Sequence, residues 1–296
     1  MVIGGANGLI GSALRSALRA RGDQVVALVR RPDSGGEVRW DGRTIPDGVL
    51  DGADAAVNMS GANIAARRWT DAFKKEITNS RVQSTRAFVE AIRAAHRKPR
   101  VFVNASAVGA YGPRGDQEVT ESTPSGADFL AEVCKASEAE AMRAEELGVR
   151  TVLLRTGVVL AKEGGALKQM LPPFKAFVGG PIGSGRQWVP WIHVADEVAI
   201  ILWSIDRDVR GPLNAVAPNP VRMKEFAQSL GRALHRPAFL TVPPVVLRIG
   251  LGEMADVLLE GQRAVPKRAL DAGFKFRFSE LEPALRDLVG PSARVA

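Results

Sequence analysis

The feature that most constrains the fold is a run of glycines near the start of the chain. In "GGANGLIG", Gly5, Gly8 and Gly11 are spaced three residues apart, directly after an apolar stretch. Apolar residues then recur at helical spacing up to Gly22, which predicts strand, turn and amphipathic helix. A glycine turn at a helix N-terminus can cradle a pyrophosphate, because side chains there would block the anion. We therefore predict a dinucleotide-binding loop made by Gly5, Asn7, Gly8, Leu9, Ile10 and Gly11.

Strand-like and helix-like segments alternate over the first half of the chain. Buried-strand patterns occur in "QVVALV", "DAAVNMSG", "RVFVNASAVG" and "RTVLLRTGVVL", and helical patterns cover residues 70–97 and 129–147. Such alternation indicates a parallel sheet with helical crossovers. The predicted fold class is α/β, a Rossmann-like doubly wound parallel sheet with a small mixed α+β C-terminal lobe.

The pattern changes after Gly164, where glycine and proline pairs mark loops between two further amphipathic helices. We predict a nucleotide-binding domain over residues 1–163, with a strand returning to its sheet near 211–216. Residues 164–296 form the smaller, substrate-side lobe. Only residues 1–3 precede the glycines, whereas strands usually run about five or six residues, so we expect the natural start to lie upstream of Met1.

Composition narrows the functional class. The formal charge is +8, from 40 basic and 32 acidic residues, but the basic residues are scattered and Tyr111 is the only tyrosine. This predicts a basic surface with a site for a phosphorylated small molecule, and no nucleic-acid or membrane partner. One cysteine, Cys134, excludes an internal disulfide and favours the cytoplasm. A homodimer remains open, and scattered histidines predict no metal site.

The end of the second predicted strand bears on cofactor choice. Arg30 and Arg31 occur about where an NAD-binding protein places the carboxylate that binds the ribose 2′-hydroxyl. A guanidinium there would pair with a 2′-phosphate, so we predict NADP(H), with Arg30 the firmer contact. The alternative is that both arginines are solvated loop residues. Met59, Ser60 and Gly61 follow the next strand, which ends in small residues, and are expected along the nucleotide, unless they form only a turn.

Several motifs occur in one order along nearly the whole chain: "GGANGLIG", "VNMSGANI", "SRVQSTR", "NASAVGAYG", "LRTGVVLA", "GGPIGSGRQWVPWIHVAD" and "GQRAVPKRA". In this the chain resembles the atypical short-chain dehydrogenase/reductases of the epimerase-like, or SulA-like cell-division inhibitor, family. The resemblance implies an NADP-binding Rossmann domain and a C-terminal domain of unassigned role. It also implies cofactor contacts from Glu76, Arg81 and Val158.

Extended short-chain reductases use a Ser or Thr on one strand, then a Tyr and a Lys four residues later on the next helix. Ser106 is present, but the helix offers Leu130 and Cys134 in one register, or Ala131 and Lys135 in the next. Neither register contains a tyrosine, so the usual pair is absent.

Other groups are therefore candidates for proton transfer. Tyr111 is the only phenol and serves either catalysis or loop packing; His193 is the best-placed imidazole, although a structural role is favoured. Cys134 is expected to be a buried apolar thiol, and Asp196 to cap the following helix. The predicted catalytic set is Ser106, Tyr111 and His193.

Two functions remain open from the sequence. The first is an NADP(H)-dependent oxidoreductase or epimerase-like enzyme acting on a small oxygenated substrate. The second is a non-catalytic NADP(H)-binding regulator, for example of cell division, which the missing tyrosine and lysine favour.

Overall fold

A computed structural model describes residues 1–33 and 35–290. Its centre is a parallel seven-stranded sheet in the order β11-β7-β5-β4-β1-β2-β3. The strands are β1 Val2–Gly4, β2 Val26–Val29, β3 Glu37–Arg39, β4 Ala55–Asn58, β5 Val101–Ala107, β6 Glu118–Val119, β7 Arg150–Thr156, β8 Val158–Leu160, β9 Trp188–Val189, β10 Trp191–His193, β11 Gly211–Ala215, β12 Val221–Arg222 and β13 Arg263–Ala264. The predicted α/β fold class is confirmed.

Helices cover both faces of this sheet, and further helices form the C-terminal lobe. They are α1 Leu9–Ala20, α2 Asp71–Ala94, α3 Phe129–Met142, α4 Gly165–Lys175, α5 Val194–Asp206, α6 Met223–Leu234, α7 Pro244–Leu251, α8 Met254–Leu259, α9 Lys267–Asp271 and α10 Leu281–Val289, with 3-10 helices at Val108–Tyr111 and Glu145–Leu147. Within the described ranges, no helix is both long and apolar enough to cross a membrane.

Alternate residues of the strands pack into two separate cores, because successive side chains of a strand point to opposite faces of the sheet. Ile3 and Val103 pack with α1 and α5 on one face. Val2 and Phe102 pack with Phe88 of α2 on the other face. Strands buried on both faces read as nearly continuous apolar runs, which explains why "VFV" and "TVLL" were recognisable from the sequence.

The C-terminal lobe has its own apolar cluster, in which Phe174, Trp191, Phe226 and Leu285 are buried. It is joined to residues 1–163 at two places. Strand β10 pairs with β8, and β11 is the edge strand beside β7. The carboxyl ends of the central strands therefore face elements contributed by the lobe.

The helix caps correct one prediction. His193, not Asp196, is the N-cap of α5, and its ring Nδ1 accepts a hydrogen bond from the Ala195 N–H at 3.0 Å. Asp196 lies inside the first turn and is buried; its carboxylate accepts from the backbone N–H groups of Arg277 and Phe278 at 2.8 and 2.9 Å. The carboxylate thus fixes a distant segment of the lobe.

Candidate functional site

The glycine loop joins β1 to α1 at the carboxyl edge of the sheet. Gly5 has φ +72°, and a Cβ there would lie 2.6 Å from the carbonyl oxygen of Met59. A Cβ at Gly11 would lie 2.1 Å from the Gly5 oxygen. Both positions therefore require glycine: one for the left-handed backbone, the other for the close approach of helix and loop.

The N-terminus of α1 opens onto this loop. Its N-cap, Gly8, has no side chain to bond the first amides, and no acidic residue lies in the first turn. Leu9 and Ile10 begin the helix, and Asn7 precedes it on the exposed side of the turn. Beside the loop, the buried hydroxyl of Ser60 has no hydrogen-bond partner among the described residues. Uncapped amides and an unsatisfied hydroxyl are the groups that a nucleotide diphosphate and ribose would satisfy.

Arg30 and Arg31 follow directly on β2, and both are exposed. Sequence reasoning missed a third guanidinium, Arg15 of α1. Its Nη1 lies 2.6 Å from Glu37 Oε1 and 3.5 Å from Asn7 Oδ1, so it spans from the loop to β3. Its position four residues after Gly11 on the helix was the available signal.

The remaining cofactor candidates lie on α2 and β8. Arg81 of α2 packs against Gly61, where a Cβ would lie 3.2 Å from its guanidinium carbon, and burial lowers its pKa. No carboxylate of the described residues pairs with Arg81. Glu76 is exposed and pairs with Arg67. Val158 begins β8 and donates its N–H to the Pro190 oxygen at 2.7 Å.

Two side chains of α3 lie beside the end of β5. Ser106 Oγ, at the end of β5, lies 2.6 Å from Glu138 Oε1, and the thiol of Cys134 lies 3.9 Å from the Ala107 oxygen. Cys134, which belongs to the first register considered, and Glu138, which belongs to neither, are four residues apart and face Ser106. Lys135 instead pairs with Glu132 at the surface. Which residues of α3 reach Ser106 depends on how α3 packs on β5, which no local pattern shows.

Burial raises the pKa of the Cys134 thiol, and only 6% of the residue is exposed. Cys134 is therefore a neutral, buried thiol, as predicted.

Tyr111 does not face the glycine loop between β1 and α1. It is fully buried, its hydroxyl donates to Asn214 Oδ1 at 2.6 Å, and burial raises its pKa. Its ring supports the guanidinium of Arg155, whose carbon lies 4.8 Å from the ring centre. The structure thus favours the packing alternative for Tyr111 over a catalytic one.

His193 is likewise built into the lobe. The residue is buried, its ring stacks on Phe278 at 4.0 Å, and Nε2 lies 3.3 Å from Asp287 Oδ2. Burial lowers its pKa, which favours the neutral ring. Because Nδ1 accepts from Ala195, the proton of that ring belongs on Nε2. This arrangement favours the structural role.

A parallel sheet with a glycine loop at its carboxyl edge defines a dinucleotide-binding protein of Rossmann type. Residues 1–216 match the model of the NAD dependent epimerase/dehydratase family. The chain belongs to that family. Residues 242–288 match a domain of unknown function, DUF1731.

The similarity to known proteins extends over the whole chain. An epimerase family protein of Mycobacterium leprae is 42% identical, over 96% of this chain and 94% of its own. The mouse epimerase family protein SDR39U1 is 40% identical over 98% and 99%. The crystal structure of human SDR39U1 with NADPH superposes with a TM-score of 0.90 at 38% identity, over 97% of this chain and 98% of that one.

Proposed function

We propose that this protein is an NADP(H)-binding atypical short-chain dehydrogenase/reductase, an oxidoreductase or epimerase-like enzyme for a small oxygenated substrate. The observation that carries the proposal is the loop, where side chains at Gly5 and Gly11 would collide with backbone oxygens. The similarity to human SDR39U1, solved with NADPH, supports the choice of cofactor.

The residues around the loop have distinct tasks in this proposal. The amides of α1 and Ser60 hold the diphosphate and ribose, and Arg30, with Arg31, pairs with the 2′-phosphate. Arg81 is a cation without a carboxylate partner among the described residues, which suits an anionic or polar part of the ligand. The nicotinamide would supply hydride chemistry near Ser106 and Val158.

The test is a titration of the purified protein with NADPH and with NADH, followed by nucleotide fluorescence. We expect clear preference for NADPH. Binding of neither nucleotide would refute the proposed cofactor site, and equal binding would refute the role of the arginines.

Arg30→Asp should weaken NADPH binding by about 10- to 100-fold, since a charge-assisted phosphate contact becomes a repulsive one. NADH, which lacks the 2′-phosphate, should be affected little. Arg100→Asp, an exposed change before β5 at the opposite edge of the sheet, is the matched control. Equal losses for the two nucleotides would refute the pairing of Arg30 with the 2′-phosphate, and no loss for either would place Arg30 in the solvent.

A non-catalytic NADP(H)-binding regulator, acting on a partner such as the division machinery, is the second candidate. The buried phenol of Tyr111 favours it, because no tyrosine is left to transfer a proton. Turnover supports the enzyme if Ser106→Ala abolishes it, whether it is oxidation of NADPH with a member of a carbonyl library or reduction of NADP⁺ with the corresponding alcohols. Tight NADPH retention without turnover supports the regulator. In either case we propose a cytoplasmic protein whose ligands are small molecules.

A further inference from the structure

The carboxylate beside Ser106 is held in a buried ion pair. Arg155 Nε donates to Glu138 Oε1 at 2.8 Å and Nη2 donates to Oε2 at 2.7 Å. The side chains of Arg155 and Glu138 are 6% and 9% exposed. Burial acts to lower the pKa of Arg155, but the hydrogen bonds and charge of Glu138 raise it overall. A two-point pair of this kind forms between a guanidinium and an ionised carboxylate.

The direction of the Ser106 hydrogen bond follows from that charge. An ionised carboxylate can only accept, so Ser106 donates its single hydroxyl proton to Glu138 Oε1. Ser106 is partly exposed at the carboxyl end of β5. What its oxygen offers on the exposed side is therefore lone pairs.

We propose that Glu138 is a positioning residue that makes Ser106 a hydrogen-bond acceptor, so that the site recognises its substrate through a hydroxyl or amine hydrogen. The inference rests on the proposed function and deepens it by naming the substrate class. A carbonyl oxygen placed against Ser106 would bring lone pairs together and leave a buried acceptor unpaired. The alcohol form of a substrate is thus preferred over its ketone.

The surroundings of Arg155 hold this arrangement in place. Its guanidinium lies on the Tyr111 ring, and Tyr111 is in turn fixed by Asn214. Asn214 donates from Nδ2 to the Val265 oxygen at 2.9 Å. The only tyrosine of the chain thus serves the ion pair that orients Ser106.

Cys134, the single cysteine, is a reporter inside this site. Burial raises the pKa of its thiol, a hydrogen bond donated by Ser106 would act to lower that pKa, and the charge of Glu138 acts to raise it. The experiment measures the rate of alkylation by iodoacetamide against pH in the full chain without cofactor. The midpoint of that profile, unlike the absolute rate, does not depend on reagent access.

If the Ser106 proton is committed to Glu138, it cannot stabilise the thiolate, and Ser106→Ala leaves the midpoint unchanged. Glu138→Gln removes a nearby negative charge and lowers the midpoint by about one pH unit. Glu140→Gln, a buried carboxylate of the same helix that pairs with Arg86 and Arg143, is the control and changes nothing. A midpoint raised by Ser106→Ala, or unmoved by Glu138→Gln, overturns the proposal.

Should Glu138→Gln unfold, the hydroxyl proton decides the question. A proton shared between Ser106 and a buried carboxylate exchanges slowly, so wild type shows an NMR resonance that Ser106→Ala lacks. Its absence from wild type overturns the proposal.

Cyclohexanol and cyclohexanone, added to the protein with saturating NADP⁺, test the substrate class. The alcohol should slow alkylation more than the ketone. Equal effects, or none from either, would refute the substrate preference. Failure of NADPH to bind would refute the proposed function and leave the thiol measurements, made without cofactor, unaffected.

Discussion

Arg155→Met lowers the free energy of unfolding by about 3–5 kcal/mol, because the Glu138 carboxylate stays buried without its partner. This is the largest single effect that the structure predicts for a substitution. Urea denaturation of wild type and variant at neutral pH measures it. The substitution also affects Ser106, because the Glu138 carboxylate that accepts its hydrogen bond is then free to move.

The double variant Arg155→Met with Glu138→Leu is the control for this prediction. Replacing both members of a buried ion pair by apolar residues is often nearly neutral. We therefore expect the double variant to be more stable than Arg155→Met alone. A double variant as unstable as the single one would show that the cost comes from packing on Tyr111 and not from an unpaired charge.

The contribution of one buried acid to the free energy of unfolding should fall as the pH rises from about 5 to 8. Glu197 of α5 is fully buried, and burial raises its pKa from 4.5 to about 8, although a 2.8 Å hydrogen bond from Thr156 acts against this. In this interval the folded chain keeps a proton that the unfolded chain has released. Its contribution, roughly 5 kcal/mol, is complete below the unfolded pKa and is lost as the pH rises through about 8.

Glu197→Gln replaces the titrating carboxyl group by an amide of nearly the same shape that stays neutral at every pH. Thermal unfolding at several pH values should show that the stability of the variant, relative to that of wild type, increases as the pH rises. Glu225→Gln, an exposed change on α6, should follow wild type at every pH. A constant difference between Glu197→Gln and wild type would show that Glu197 has the same pKa in both states.

Much of the scaffold could be predicted because its signals are local. The glycines of residues 5–11 require a tight turn, and the buried strands read as apolar runs, so sheet, loop and first helix follow from neighbouring residues. The return of a strand at 211–216 was visible as well, since "GPLNAV" has the same apolar pattern and β11 lies beside β7.

The side chains around Ser106 depend on contacts between distant segments. The packing of α3 on β5 decides which of its side chains reaches Ser106, and the helical pattern of residues 129–147 does not distinguish Glu138 from Lys135. Asp196 is a similar case: as a polar residue at a helix start it predicts a cap, but its partners lie 81 and 82 residues later. Pairings over such distances are set by tertiary packing alone.

The carboxylate of Glu121 joins three stretches of the chain. It accepts from the N–H of Asn214 on β11, 93 residues later, and from the N–H of Arg268 on α9, 147 residues later. During synthesis, which proceeds from the N-terminus, residues 1–163 therefore emerge without the edge strand β11 and without the last partner of Glu121. The sheet is completed only after the lobe has emerged as far as β11, so a growing chain exposes the open edge of β7 until residues 211–215 have left the ribosome.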